Sequence, residues 1–273
     1  MNEEIKLKDY QDIITTNLAW TVKKVELFGA IMAFSRRENS NVNGLQETQK
    51  IWSSNKSKPN NDENFSLFCK SLGIESSGII TCRQVHGDRI LICKEVPKKL
   101  VAADAIIVTA PGLYPLIRTA DCVPILIIDR VKKISAAIHA GWKGTVLRII
   151  RKTLSTLTDI FKCDKSDIIV ALGPSIGKCC YEVNRVVLDP LFQNLPWATE
   201  FSVPYQDISE SNDEKRRLDL AAINHSELIK FGIYKKNIYK LNMCTSCNVN
   251  DLHSFRRDGA SSGRSIAITG FRL

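Results

Sequence analysis

Short, strongly apolar runs that end at glycine, proline or charged residues recur through this chain, and they limit what it can fold into. Residues 78–84, 89–93, 105–109, 123–129, 134–139 and 168–172 are rich in Ile, Val, Leu and Ala. Runs of this length bounded by turn residues read as buried strands. Residues 237–241 and 265–269 read as late strands. Between them lie stretches of helical spacing. One covers 144–160, with apolar residues at 146, 147, 149, 150, 154 and 157. Others cover 186–192 and 218–231, the latter followed by the stop signal Gly232. Residues 65–72 also keep helical spacing, with Asn61 or Asp62 as the cap. Helices between strands, with some strands adjacent, predict an α/β or α+β-like arrangement. The expected fold is a mixed sheet flanked by helices, and neither a bundle nor a pure barrel.

The chain has 273 residues, enough for a sizeable core. Residues 38–64 are polar, rich in Asn, Ser and Lys, and read as a mobile loop; 202–217 read as a charged loop. Net charge is +9, from 38 basic and 29 acidic residues. The basic residues are scattered in pairs such as Lys23-Lys24 and Lys132-Lys133 and are not interleaved with aromatics, so no nucleic-acid groove is predicted. No apolar run is long enough to span a bilayer, so no membrane partner is predicted. The opening residues carry both charge signs and no apolar stretch of a secretory signal. A cytoplasmic protein is therefore expected, with its nine cysteines reduced.

Three residues stand where apolar runs meet turns: His86 in Gln84-Val85-His86-Gly87, Cys122 in Asp121-Cys122-Val123-Pro124, and His139 in His139-Ala140-Gly141-Trp142. Two imidazoles and a thiolate suit one zinc ion with a fourth position left open, which implies chemistry. The plainer alternative is a small core cysteine and two hydrogen-bonded turn histidines. Asp121 is the candidate carboxylate to orient a ligand; a turn aspartate bonding its own backbone is the alternative. The same three residues also suit a metal-free cysteine hydrolase or deamidase, with Cys122 as nucleophile and His86 or His139 as base. Two His and one Cys can also hold blue copper. With only four histidines in the chain, a histidine-rich trinuclear copper cluster is excluded. A basic binding module with a structural zinc is a non-enzymatic alternative, but it needs a fourth protein ligand.

Anion binding has its own candidates. Arg256 and Arg257, followed by Gly259, Gly263 and Arg264, put three guanidiniums on glycine-rich chain. Lys143 lies in Gly141-Trp142-Lys143-Gly144 before a helix, where anions are attracted. Cys244-Thr-Ser-Cys247 is a Cys-x-x-Cys whose only close counterpart is the adjacent Cys179-Cys180, and it reads as incidental.

Taken in order, these motifs and Ala103-Asp104-Ala105, Thr119-Ala120-Asp121-Cys122, Gly173-Pro174-Ser175-Ile176, Cys180-Tyr181-Glu182-Val183 and Ser254-Phe255-Arg256-Arg257-Asp258-Gly259 resemble the YfiH-like family. That family is labelled "polyphenol oxidase" or "laccase domain" and understood as zinc-dependent purine nucleoside phosphorylases. The resemblance covers about residues 28–273. It implies a single YfiH-like domain over 1–273, with a YfiH-like/CNF1-like fold. It implies Zn²⁺ on His86, Cys122 and His139 as the catalytic site. It further implies phosphorolysis of adenosine, inosine or methylthioadenosine, with adenosine deamination as a further activity. Purine nucleosides and inorganic phosphate are then the partners, on a monomer or small homo-oligomer. Arg36 or Arg37, Lys143, Arg256, Arg257 and Gln84 are the candidates for holding substrate or phosphate. The sequence departs from the family at Arg36-Arg37-Glu38-Asn39-Ser40, which lacks glycines, at Lys143, at His253, and in a Gly259–Gly263 segment one residue longer than the family's.

Overall fold

The computed structural model describes residues 12–16, 18–37, 68–204 and 215–273. Residues 38–64, and 65–67 of the helix expected at 65–72, lie outside the described residues; 68–71 are helical. Two six-stranded sheets dominate. The first runs in the order β1 (Ile13–Thr15), β2 (Ala19–Val22), β3 (Ala30–Ser35), β15 (Ser265–Phe271), β7 (Tyr114–Thr119) and β4 (Ile79–Ile80). The second runs β14 (Ile238–Lys240), β10 (Ile168–Leu172), β8 (Val123–Asp129), β9 (Ile134–Ala140), β6 (Ala105–Val108) and β5 (Ile90–Cys93). Both are mixed. The β4–β7, β5–β6 and β10–β14 pairs are parallel, and the remaining pairs are antiparallel. A small antiparallel sheet joins β11 (Glu182–Val183), β13 (Arg216–Leu218) and β12 (Ser202–Pro204).

The sequence predicts one sheet system; the structure has two packed layers. The reason lies in β8, buried along its whole length. Side chains alternate across a strand, so both its faces must be covered. Leu126 and Ile128 face the first sheet, meeting Phe34, Ile117 and Ala267. Ile125 and Ile127 face helices, meeting Ile149, Leu154, Leu188, Ile223 and Leu228. Burying each such side chain contributes about 1.5–3 kcal/mol. The outer face of the first sheet is covered by Phe68, Cys69, Leu72 and Ile74.

The helix expected at 144–160 is interrupted. It begins at Trp142–Val146, stops at Arg148 in a left-handed conformation (φ 59°), and resumes at Ile149–Ser155. The Arg148 guanidinium is drawn across to Glu227, donating from Nε (3.1 Å) and Nη2 (2.8 Å). The helix expected at 218–231 runs Leu220–Phe231, with Leu218 in β13; it is capped by the Asp219 carboxylate and stopped at Gly232 (φ 102°). Two strands bound the region read as the 202–217 loop, whose residues 205–214 lie outside the described ones. No described helix is long and apolar enough to cross a membrane.

Candidate metal centre

The β8–β9 hairpin and the loop before β5 bring the three sequence candidates together. Cys122 immediately precedes β8, and His139 sits near the end of β9, opposite Pro124. His86 comes from the 83–89 loop, in a left-handed conformation (φ 58°) that turns its ring back toward the hairpin. Asp121 also has positive φ (89°). Such angles are costly for non-glycine residues and persist where surrounding contacts enforce them. One nitrogen of each ring and the thiol sulfur all lie within 4.8 Å of one another. The two imidazoles meet edge to face, with centroids 4.7 Å apart.

Asp104, fully buried immediately before β6, organises this arrangement. Its carboxylate accepts the backbone N–H groups of Val85 (3.2 Å), His86 (2.9 Å) and Gly87 (2.7 Å). It also receives His139 Nδ1 at 2.8 Å. Burial pushes this carboxyl's pKa up, but the bonds from His139 and from the Gly87 and Val85 N–H groups outweigh it and hold it low. An ionised carboxylate only accepts, so His139 carries a proton on Nδ1 and presents Nε2, the position a metal would take, toward Cys122. Burial likewise pushes the Cys122 thiol up, yet hydrogen bonds from His139 and His86 bring it down to about 7. His139 is lowered by burial but lifted by Asp104 and Cys122, ending at about 9. Gly141 borders the sulfur: a Cβ there would lie 3.0 Å from Cys122 Sγ and 3.1 Å from His86 Cδ2. The donor atoms, the fixed tautomer and the thiolate-favouring surroundings fit a metal ion held by His86, Cys122 and His139.

Asp121, expected to orient a ligand, does something else. Its Oδ1 accepts Thr245 Oγ1 at 2.5 Å and its Oδ2 accepts the Arg256 N–H at 2.6 Å, so it ties the Cys122 loop to the 245–256 segment. The orienting carboxylate is Asp104, distant in sequence from Cys122 and His139. In the sequence it stands in the motif Ala103-Asp104-Ala105, an acidic residue before an apolar run, with nothing to tie it to His139. Gln84 also departs from expectation: its side-chain amide closes on the Arg118 backbone in both directions, at 2.7 and 2.9 Å, and clamps the His86 loop to β7. Arg257 has a saturated fork. It pairs with Asp258 through two 2.7 Å bonds and donates to the carbonyls of Thr245, Ser246 and Leu252. With its N–H groups so used it braces a loop and offers little to an anion. Arg36 is held by Asp251 and lies over Trp20.

The other cationic candidates are more available. Arg256 is exposed, donates to the carbonyls of Cys180 and Glu182, and lies over the Tyr181 ring. Lys143 is exposed and lies over Trp142. Arg37 meets Asp258 at 3.6 Å. Arg118 was not singled out from the sequence; burial and then repulsion from Arg264 lower its pKa. Tyr181 was also missed as a site residue. Burial first, then the negative charge of Cys122, push its phenol up.

Comparison with known proteins matches the chain to a family. The family described as multi-copper polyphenol oxidoreductase laccase matches residues 32–272. The chain belongs to this YfiH-like, laccase-domain family. A purine nucleoside phosphorylase of Bacteroides thetaiotaomicron is 34% identical over 62% of this chain, which spans 60% of that relative's length. One from Clostridium acetobutylicum is 36% identical over 68% of this chain and 74% of its own length. The adenosine deaminase RL5 of an unknown prokaryotic organism is 28% identical over 71% and 76%. In structure, the chain is similar to the hypothetical protein YfiH of Bacillus licheniformis (TM-score 0.82, 24% identity, covering 96% of this chain and 100% of that one). The solved neighbour shows the fold, and these curated relatives carry the names of enzymes.

Proposed function

We propose that this protein is a zinc-dependent purine nucleoside phosphorylase. It would cleave adenosine, inosine or methylthioadenosine with phosphate to the base and the (5-methylthio)ribose 1-phosphate, and deaminate adenosine as a further activity. The observation that carries the proposal is the three-donor set of His86, Cys122 and His139, with His139 oriented by Asp104. Among the described residues only these three donors gather there, which leaves a tetrahedral ion one open position and disfavours a purely structural zinc. Zinc bound there supplies Lewis acidity and lowers the pKa of water at its open position. Copper redox chemistry of the multicopper kind lacks donors, because the remaining histidines are only His225 and His253.

Phosphorolysis forms a bond from a phosphate oxygen to ribose C1′ and breaks the C1′–N bond, and the departing purine takes the electron pair and then a proton. Deamination adds a water oxygen at purine C6 and expels ammonia. Arg256, Lys143 and Arg37 provide the positive charge for phosphate. The Arg256 backbone N–H is held by Asp121, next to Cys122, so Arg256 is the first choice. Fixed cations of this kind act most strongly where water is excluded.

The test is product analysis of metal-verified protein with adenosine, with and without phosphate, beside Cys122→Ala. Adenine and ribose 1-phosphate should form only with phosphate and be lost in the variant. No turnover by folded, zinc-loaded protein would refute adenosine phosphorolysis. One observation favours a second reading: Cys122, His139 and Asp104 line up as thiol, imidazole and carboxylate. A cysteine hydrolase built on them would keep its activity under chelation and lose it on thiol alkylation.

A further inference from the structure

The sequence reading treats Cys244-x-x-Cys247 as incidental, because its only close counterpart is Cys179-Cys180, an adjacent pair and not a second Cys-x-x-Cys. The fold removes that objection. Strands β10 and β14 are parallel neighbours, with Val170 opposite Ile238 and Leu172 opposite Lys240, so both chains leave the sheet at the same end. The loops that follow stay paired. Ser175 N–H donates to the Met243 carbonyl (3.3 Å), Thr245 N–H donates to the Ser175 carbonyl (3.0 Å), and Ser175 bridges Cys244. Four sulfurs thereby come together, all within 4.8 Å of one another.

We propose that Cys179, Cys180, Cys244 and Cys247 form a second metal site, a closed four-thiolate site for a structural Zn²⁺, separate from the His86–Cys122–His139 centre. Zinc–sulfur bonds of about 2.3 Å set tetrahedral S···S edges of about 3.8 Å. The Cys179–Cys247 and Cys180–Cys247 separations are 3.6 and 3.4 Å. Both are near that edge and far from the roughly 2.0 Å of a disulfide. Four thiolates this close repel one another unless a cation lies between them. The surroundings suit the metal-bound form. Gly177 N–H donates to Cys244 Sγ at 3.2 Å, and a Cβ on Gly177 would stand 3.3 Å from Cys179 Sγ. Arg256 donates to the Cys180 carbonyl, so its guanidinium stands beside the site and offsets part of the excess negative charge of four thiolates on a divalent ion.

The position gives the site a purpose. The two loops it clamps also hold Asp121: Ile176 N–H donates to its carbonyl (2.9 Å), and Thr245 and Arg256 hold its carboxylate. Asp121 adjoins Cys122, so the four-thiolate site braces one ligand of the first centre from behind.

The experiment is metal analysis of full-length protein purified reduced and without oxygen, followed by cobalt substitution of the metal-free protein. Wild type should hold two zinc ions per chain, and Cys122→Ala and Cys247→Ser one each. With cobalt, the intense sulfur-to-metal absorption of a tetrathiolate site should persist in Cys122→Ala and vanish in Cys247→Ser. A wild type with one ion that Cys122→Ala removes entirely would overturn the proposal. So would a disulfide joining 179 or 180 to 244 or 247 in metal-poor, reduced protein. If Cys247→Ser does not fold, Cys122→Ala alone decides: one ion with the tetrathiolate spectrum supports the site, and no ion refutes it. A wild type with one ion, kept in Cys122→Ala, would support this site while refuting metal at the first centre.

Discussion

Asp104→Asn isolates what a single buried carboxylate does for this protein. The replacement has the same shape and sits at a position with no solvent exposure, so it changes chemistry without opening a cavity. An amide has one oxygen, whereas Asp104 uses both of its oxygens. Oδ1 serves His139 and His86, Oδ2 serves Gly87, and Val85 reaches both. If the amide NH₂ replaces Oδ2, it meets the Gly87 N–H donor to donor. If it replaces Oδ1, it faces His86 N–H and forces His139 to carry its proton on Nε2, where the lone pair is needed for a metal. Hydrogen bonds to a charged group contribute about 1.5–3 kcal/mol, and an unsatisfied buried donor costs about 1–3 kcal/mol. Folding stability should therefore fall by about 2–4 kcal/mol, read as a lower urea midpoint with unchanged slope. Metal affinity at the centre should fall about 10–100-fold in competition with a chelating dye. Stability within about 0.5 kcal/mol of wild type, with metal affinity within threefold, would refute the role assigned to Asp104.

Gly141→Ala places a methyl within 3.0 Å of the Cys122 sulfur. It should weaken metal binding by about tenfold or more while leaving the circular dichroism spectrum native, and a titration with wild-type affinity would contradict the crowding argument. Arg257→Ala removes five hydrogen bonds, including the pair to Asp258, and should cost about 1–3 kcal/mol in thermal or urea unfolding; unchanged stability would reopen a role in holding anions. Leu126→Ala empties a fully buried position between the two sheets and should cost about 2–5 kcal/mol. His253 is held down to about 4 by burial, then by Arg37, Arg264 and Arg257, against the attraction of Asp258. Because its folded pKa lies below the unfolded 6.5, the unfolded state takes up the proton first, and stability is lost as pH falls from about 6.5 to about 4. His253→Phe should remove about 1–3 kcal/mol of that acid sensitivity, and an unchanged stability profile over this window would refute it.

The chain's own pattern declares its strongest elements and conceals others. Strands at 123–129, 134–139 and 168–172 are continuous apolar runs, so their local composition suffices to find them. Strand β7 is hidden because Pro115 lies inside it and proline argues against a central strand. In the fold Pro115 pairs only with the short β4, and the β15 ladder begins at Leu116, so the missing N–H is not needed there. The break at Arg148 is equally invisible, since the apolar spacing continues across it; the pull comes from Glu227 on a later helix.

Sequence alone determined which residues are able to do chemistry here. Histidine is scarce, and two of the four stand with a cysteine at the ends of buried runs; that placement is a property of the chain. Tertiary structure decided the connections. Which carboxylate holds His139, whether Arg257 is free to meet an anion, and whether Cys179-Cys180 meets Cys244 and Cys247 all depend on strand neighbours distant in sequence. Composition and spacing report local propensity and burial. They carry no record of which strand ends emerge side by side, and in this protein the parallel pairing of β10 and β14 settles that for the four cysteines.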